Sequence, residues 1–189
     1  MEKTQFNLIV DELKDIKWGS ILEVGPSRGD VMIEVKKAFP EKIIKGIDSE
    51  EVYADRDYKG MIQEGVTRGL DISKGDGRDL KFPDSSFDIV YCQAVLVMNF
   101  IEDFRLIIDE MIRVAKKRVI LIEPHSEESS SNGEYYSNPD EKKHRLIANY
   151  RFLEDIGYNI KIKKMPPELC GGKNSIPWGK WGHIIIIDL

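Results

Sequence analysis

The sequence predicts a doubly wound α/β fold: a mostly parallel seven-stranded sheet with helices on both faces and an antiparallel C-terminal strand. Three observations carry that expectation. Short apolar runs alternate with segments of helical periodicity along most of the chain, the pattern of strands joined by crossover helices. The first run ends in a glycine-containing turn, Gly25-Pro-Ser-Arg-Gly29, that leads directly into a helix. With 189 residues, 41% of them apolar, the chain has enough material for one core and no length for a second, so residues 1–189 are expected to form a single domain.

Taken in order, Phe6, Ile9, Val10, Leu13 and Ile16 recur at helical spacing before a strand at Ser20 to Val24. Val31, Met32, Val35 and Phe39 then share one helical stripe. Asp30 near its start and Lys36 and Lys37 near its end suit the helix dipole, and Pro40 terminates it. A second strand follows at Ile43 to Ile47. Residues Glu51 to Gly69 are expected to be helical, although Gly60 and Gly65 weaken the pattern. Leu70 to Lys74, Phe87 to Cys92 and Arg118 to Glu123 are expected strands, the last two separated by a periodic helix carrying Phe104, Ile107, Ile108, Met111 and Ala115. Asn138-Pro139-Asp140-Glu141 has the chemistry of a helix start, with Gly157 as its stop. Two closing strands are expected at Asn159 to Lys164 and His183 to Asp188.

Composition excludes several classes. The longest apolar stretch, around His183 to Leu189, is far too short for a membrane span, so no membrane partner is expected. The charged, amphipathic N-terminus lacks the features of a secretion signal, and cytoplasmic residence is the expectation. Cys92 and Cys170 form no CxxC pair, which provides neither a disulfide framework nor a zinc site. The net charge of −5 disfavours nucleic acid as a partner. From Glu141 onward, however, nine Lys or Arg face five Asp or Glu, a net of +4 that leaves −9 before it. Lys142, Lys143, Arg145 and Arg151, with Lys161, Lys163 and Lys164, could form a basic face.

In Ile21-Leu-Glu-Val-Gly-Pro-Ser-Arg-Gly-Asp30 an apolar strand ends in a turn that brings backbone close to a ligand. Glycine removes the Cβ that would obstruct the approach, and the helix start presents free N–H groups. Alone, the same pattern fits any tight strand-to-helix connection. Asp48 stands nineteen residues after Gly29, just beyond the second strand, where a carboxylate can accept hydrogen bonds from both hydroxyls of a ribose. Gly25-Pro-Ser27-Arg-Gly29 also fits the nucleophile elbow of serine hydrolases, but such an elbow follows several strands and only about twenty residues precede it here. A nicotinamide-dinucleotide turn would need glycines where Ser27 and Asp30 stand.

These residues resemble the class I S-adenosylmethionine-dependent methyltransferases, in particular the group that includes quinone and other small-molecule methyltransferases. Glu23-Val-Gly25-Pro-Ser27-Arg-Gly29 resembles the family's first motif and Gly46-Ile-Asp48 its second. Gly75-Asp76-Gly77-Arg78-Asp79-Leu80-Lys-Phe82-Pro83-Asp84-Ser-Ser-Phe87-Asp88 resembles its adenine-side motif, and Glu110-Met-Ile-Arg113-Val114, followed by a strand ending in Glu123-Pro124, its downstream pattern. The resemblance implies a Rossmann-like fold, S-adenosylmethionine as cofactor and a small-molecule acceptor. It implies that Glu23, Gly25, Ser27 and Gly29 shape the pocket for the methionine part, that Asp48 holds the ribose, that Asp76 and Gly77 meet the adenine, and that Gln93 contacts the amino end. Two departures stand out: Ser27 replaces a usual glycine, and Val97-Met98-Asn99-Phe100 replaces a common His pair.

Methyl transfer from a sulfonium is a direct displacement, so positioning is the main requirement and no metal is needed in principle. An acceptor that must lose a proton could use His125, the catalytic candidate, or Tyr135, Tyr136 or His144. RNA or protein as acceptor, and a non-catalytic module that keeps the cofactor fold, are the alternatives. His125 to Asn138 lacks an apolar stripe and reads as a loop, either a lid or a plain surface connection. A second loop, Pro166 to Trp181, is expected to close over an acceptor or to cover the sheet edge.

Overall fold

The computed structural model describes residues 4–49, 60–137, 144–170 and 179–189. Seven strands form the central sheet: β1 (Ser20–Val24), β2 (Ile43–Asp48), β3 (Asp71–Lys74), β4 (Phe87–Gln93), β5 (Ala115–Pro124) and, after a separate hairpin, β8 (Asn159–Lys164) and β9 (Gly182–Asp188). Their spatial order is β3-β2-β1-β4-β5-β9-β8. The first five are mutually parallel, and β9 runs antiparallel to both β5 and β8. This is the doubly wound arrangement expected from the alternating pattern. The order of connection reverses between β1 and β4, and in open α/β sheets the crevice beyond the strand ends at such a switch point is where ligands bind.

Helices α1 (Leu8–Leu13) and α2 (Asp30–Ala38) cover one face, and α4 (Ile101–Val114) the other. The central strands β1, β4 and β5 are buried on both sides, so each alternates between two cores rather than between core and water. Leu22, Val90, Cys92 and Leu121 join Phe104, Ile108 and Met111 of α4. Ile21, Ile89, Tyr91 and Ile120 join Leu8, Ile9, Leu13, Val31 and Val35. Trp18, between α1 and β1, closes the second core by donating its indole N–H to the Leu13 carbonyl at 3.2 Å and meeting Phe39 edge-on.

The described part of the 51–69 segment is helix α3 (Met61–Thr67); residues 50–59 lie outside the described residues. Gly65 has a packing reason: a Cβ there would stand 2.5 Å from Ile72 Cδ1 and 3.2 Å from the Arg28 carbonyl oxygen.

Two expectations are corrected. Residues 138–157 do not form one helix. The proposed start at 138–143 lies outside the described residues, but His144–Ile147 is a strand, β7, and only Phe152–Asp155 is helical, as α5. The consecutive residues Leu146, Ile147 and Ala148 are all buried, which demands both sides of an extended chain rather than one stripe of a helix. Nor is 125–138 entirely loop: Glu134–Ser137 forms β6, paired antiparallel with β7. The pairing stands on Leu146, which packs into the α4-side core, and on the Tyr135 hydroxyl, which accepts the Ile101 N–H at 3.0 Å. In the 166–181 loop, 3₁₀ turns form at Pro167–Leu169 and Gly179–Trp181; Trp178 falls outside the described residues. Met165 and Leu169 are buried against the β9 face, a covering contact. Among the described residues no helix is long and apolar enough to cross a membrane.

Candidate functional site

The site gathers where β1, β2 and β4 end. Val24 pairs with Ile47 on one side and Cys92 on the other, so Gly25, Asp48 and Gln93, each the next residue along, emerge at one level of the sheet. The chain leaves β1 through Gly25 (φ +74°), Ser27 (φ +55°) and Gly29 (φ +81°), three left-handed residues within five. That conformation is natural for glycine and costs about 1–2 kcal/mol at Ser27, which explains why glycine suits this position better. Gly25 is also sterically required, because an added Cβ would lie 2.4 Å from Val95 Cγ2. The turn is pinned by Gly25 N–H to the Ile47 carbonyl and by Gly29 N–H to the Pro26 carbonyl, both at 2.8 Å. Asp48 accepts the Ser27 N–H on Oδ2 at 2.7 Å, so turn and carboxylate are held as one unit.

Glu23 stands one residue before Val24 and is buried, with the Tyr91 hydroxyl donating to its Oε2 at 2.5 Å. Burial pushes its carboxyl up to about 8; the Tyr91 hydrogen bond opposes the shift, and the nearby Asp48 and Asp30 carboxylates add to it. Gln93, on the same face of β4 as Tyr91, donates from Nε2 to the Gln5 carbonyl at 3.2 Å. Its Oε1 is buried and has no hydrogen-bond partner among the described residues. An amide oxygen left this way costs free energy unless a ligand N–H or a water reaches it.

The adenine-side residues take a different form. Asp76 is gripped by the Arg78 guanidinium, Nε to Oδ1 at 2.9 Å and Nη2 to Oδ2 at 2.7 Å, and also accepts the Arg78 N–H. This fork holds its carboxyl below the usual range. Gly77 lies against the β1 end, where a Cβ would sit 3.1 Å from Val24 Cγ1.

His125 follows β5, two strands from β1 in the sheet, and is buried. Its Nδ1 accepts the Tyr150 N–H at 3.2 Å, its own N–H donates to the Trp181 carbonyl, and its ring meets His183 edge-on at 5.0 Å. Burial and the His183 ring lower its pKa. In the Val97-Met98-Asn99-Phe100 segment, Val97 is buried, Asn99 Nδ2 donates to the Val95 carbonyl at 2.8 Å, and Phe100 is exposed. Tyr91, Val95 and Glu123 have roles that sequence reasoning did not assign. Tyr91 and Val95 stand in apolar runs and give no signal, whereas a carboxylate ending the apolar run Val119 to Ile122 could have been flagged.

Of the candidate basic face, Lys142, Lys143 and the Arg145 side chain lie outside the described residues, and three of the others are paired with acids. Arg151 pairs with Glu127 and Glu154, Lys161 with Asp188, and Lys163 with Glu12.

The methyltransferase-domain family profile matches residues 21–118, from β1 into β5. Sterol 24-C-methyltransferase erg6 of Aspergillus fumigatus is 31% identical over 96 residues, 51% of this chain and 25% of that protein. The Neurospora crassa enzyme erg-4 is 35% identical over 78 residues, 41% of this chain and 20% of its own length. The matches thus span a quarter or less of these relatives. Among solved structures, a SAM-dependent methyltransferase from Methanosarcina mazei superposes with a TM-score of 0.63 at 16% identity, covering 96% of this chain and 95% of the other. Magnesium protoporphyrin IX methyltransferase from Synechocystis, crystallised with bound SAM, gives 0.59 at 15% identity over 96% and 74%. At these identities the superpositions speak for the fold.

Proposed function

Because the chain belongs to the methyltransferase-domain family, we propose that it is an S-adenosylmethionine-dependent methyltransferase acting on a small-molecule acceptor. The observation that carries the reading is the convergence, at one end of β1, β2 and β4, of a left-handed glycine turn, an acid bonded to that turn, and a buried amide oxygen without a partner. The residues fit the cofactor. Val95 and Leu70 pack directly against Gly25 and Gly29, so the turn stays bare backbone at the strand end, and Gln93 Oε1 is an acceptor suited to an ammonium N–H. Asp48 is assigned to the ribose hydroxyls, Gly77 and Asp76 to the adenine, and Glu23, Gly25, Ser27 and Gly29 to the methionine part.

When bound, S-adenosylmethionine would supply an electrophilic methyl on a sulfonium. This chain's residues bind and orient the reactants; holding reactants in line contributes about 7–11 kcal/mol to such reactions. His125 is not assigned the role of base. An Nδ1 that accepts the Tyr150 N–H puts the ring proton on Nε2, so neither nitrogen is poised to take one from an acceptor.

A small acceptor is supported by the acidic net charge, by the pairing of Arg151, Lys161 and Lys163 with acids, and by the sterol-directed names of the matched curated relatives. The reading includes a single cofactor-binding domain and cytoplasmic residence, with Cys92 and Cys170 as free thiols. Titration calorimetry with S-adenosylmethionine and S-adenosylhomocysteine tests it, followed by transfer of labelled methyl into metabolite, protein and RNA fractions. Binding with label in metabolites is expected. Absence of binding by both compounds refutes the cofactor, and label confined to RNA or protein refutes the acceptor class.

A further inference from the structure

Glu123 is a fully buried carboxylate near the end of β5. Three consecutive backbone N–H groups of the segment after β4 converge on it: Val95 to Oε1 at 2.7 Å, Leu96 to Oε1 at 3.0 Å and Val97 to Oε2 at 3.1 Å. The Cys92 thiol lies 3.5 Å from Oε1. Burying a carboxylate is costly, and a family of hydrogen bonds to one short stretch of main chain is what makes it tolerable. The chain reaches this stretch through Ala94, held left-handed at φ +61° with its N–H on the Ile122 carbonyl. The clamp therefore ties the end of β4 to the end of β5 and fixes where residue 95 stands.

Val95 occupies the space beside Gly25, so close that a Cβ on that glycine would meet it at 2.4 Å. The carboxylate, the clamped backbone and the valine methyls form one unbroken path of contacts to the glycine turn. From this geometry we infer that Glu123 is a positioning residue: it holds the segment 95–97 so that Val95 forms the wall of the cofactor pocket beside Gly25. The inference rests on the cofactor reading proposed above, and it adds a role for an acid that touches neither the turn nor the ribose position.

The substitution Glu123→Gln keeps shape and one carbonyl oxygen but sets an NH2 against main-chain N–H groups, which the carboxylate accepted. In the full chain, amide hydrogen exchange at 95–97 is expected to speed up about tenfold or more, with β1 and β5 amides unchanged. Affinity for S-adenosylmethionine and S-adenosylhomocysteine, measured by calorimetry, is expected to fall about tenfold, in step with a lost charged hydrogen bond. The melting temperature without ligand is expected to hold, because a buried charge is removed at the same time. Val95→Ala, which leaves the clamp intact, is expected to weaken cofactor binding several-fold with exchange at Val97 unchanged. Unaltered affinity in either variant while the wild type binds overturns the positioning role alone. A wild type that binds neither compound overturns the cofactor reading as well.

Discussion

Glu23 makes the stability of this protein depend on pH in an unusual direction. Its carboxyl is raised from 4.5 to about 8 by burial, despite the Tyr91 hydrogen bond. Between those values the folded chain keeps a proton that the unfolded chain releases, so each rise in pH favours unfolding. The contribution is fully present below about 4.5 and is lost as pH rises through 8, at a slope of up to about 1.4 kcal/mol per pH unit. Glu123, raised to about 7 by burial against its three backbone hydrogen bonds, acts in the same direction over a narrower range. Glu23→Gln isolates the first group, since an amide oxygen can still accept from Tyr91 and cannot titrate. Urea unfolding at pH 5.5 and 7.5, followed by tryptophan fluorescence, is expected to show the wild type losing about 2–3 kcal/mol more than the variant over that interval. Parallel losses in the two proteins would mean that Glu23 is ionised in the fold, and the argument from burial would be wrong.

Asp48→Ala is expected to weaken binding of S-adenosylmethionine about 10–100-fold by calorimetry, the cost of about 1.5–3 kcal/mol for hydrogen bonds to a charged group; unchanged affinity would remove Asp48 from the site. Gly25→Ala is expected to destabilise the fold by about 1–3 kcal/mol in denaturant titration, from the φ of +74° and the displacement of Val95, and to reduce cofactor binding further than Asp48→Ala; a stable, binding-competent variant would contradict the close approach. Binding of the cationic cofactor near Glu23 at pH 7 is expected to release up to about one proton, seen as a dependence of the calorimetric heat on buffer ionisation enthalpy; a heat independent of buffer in the wild type would place the positive charge elsewhere.

Much of this molecule was legible in one dimension because its central strands are short, apolar and separated by amphipathic helices, and run length together with periodicity distinguishes the two. The turn at Gly25 to Gly29 and the acid at Asp48 could be paired from spacing, since a strand, a crossover helix and a second parallel strand place their ends side by side. The structure added that Asp48 is already bonded to the turn, and that Ser27 takes a backbone conformation in which glycine would be less strained.

The sequence failed where the answer lay in contacts between distant segments. Tyr135 and Leu146 read as parts of a loop and a helix, yet they belong to one hairpin, because partners over the end of β4 and on α4 reward extended chain at both positions. Gly65 looked like a flaw in a helix until the approach of Ile72 and Arg28 explained it. What the sequence by itself determined is the seven-stranded, mostly parallel sheet and the glycine turn after its first strand, both of which follow from local pattern. Only the tertiary structure decided that His125 is a hydrogen-bonded core residue, that Glu23 is buried with Tyr91 bonded to it, and that Glu123 binds the backbone of the segment packed beside Gly25. Burial and nonlocal hydrogen bonds set those roles, and neither is encoded in the spacing of residues along the chain.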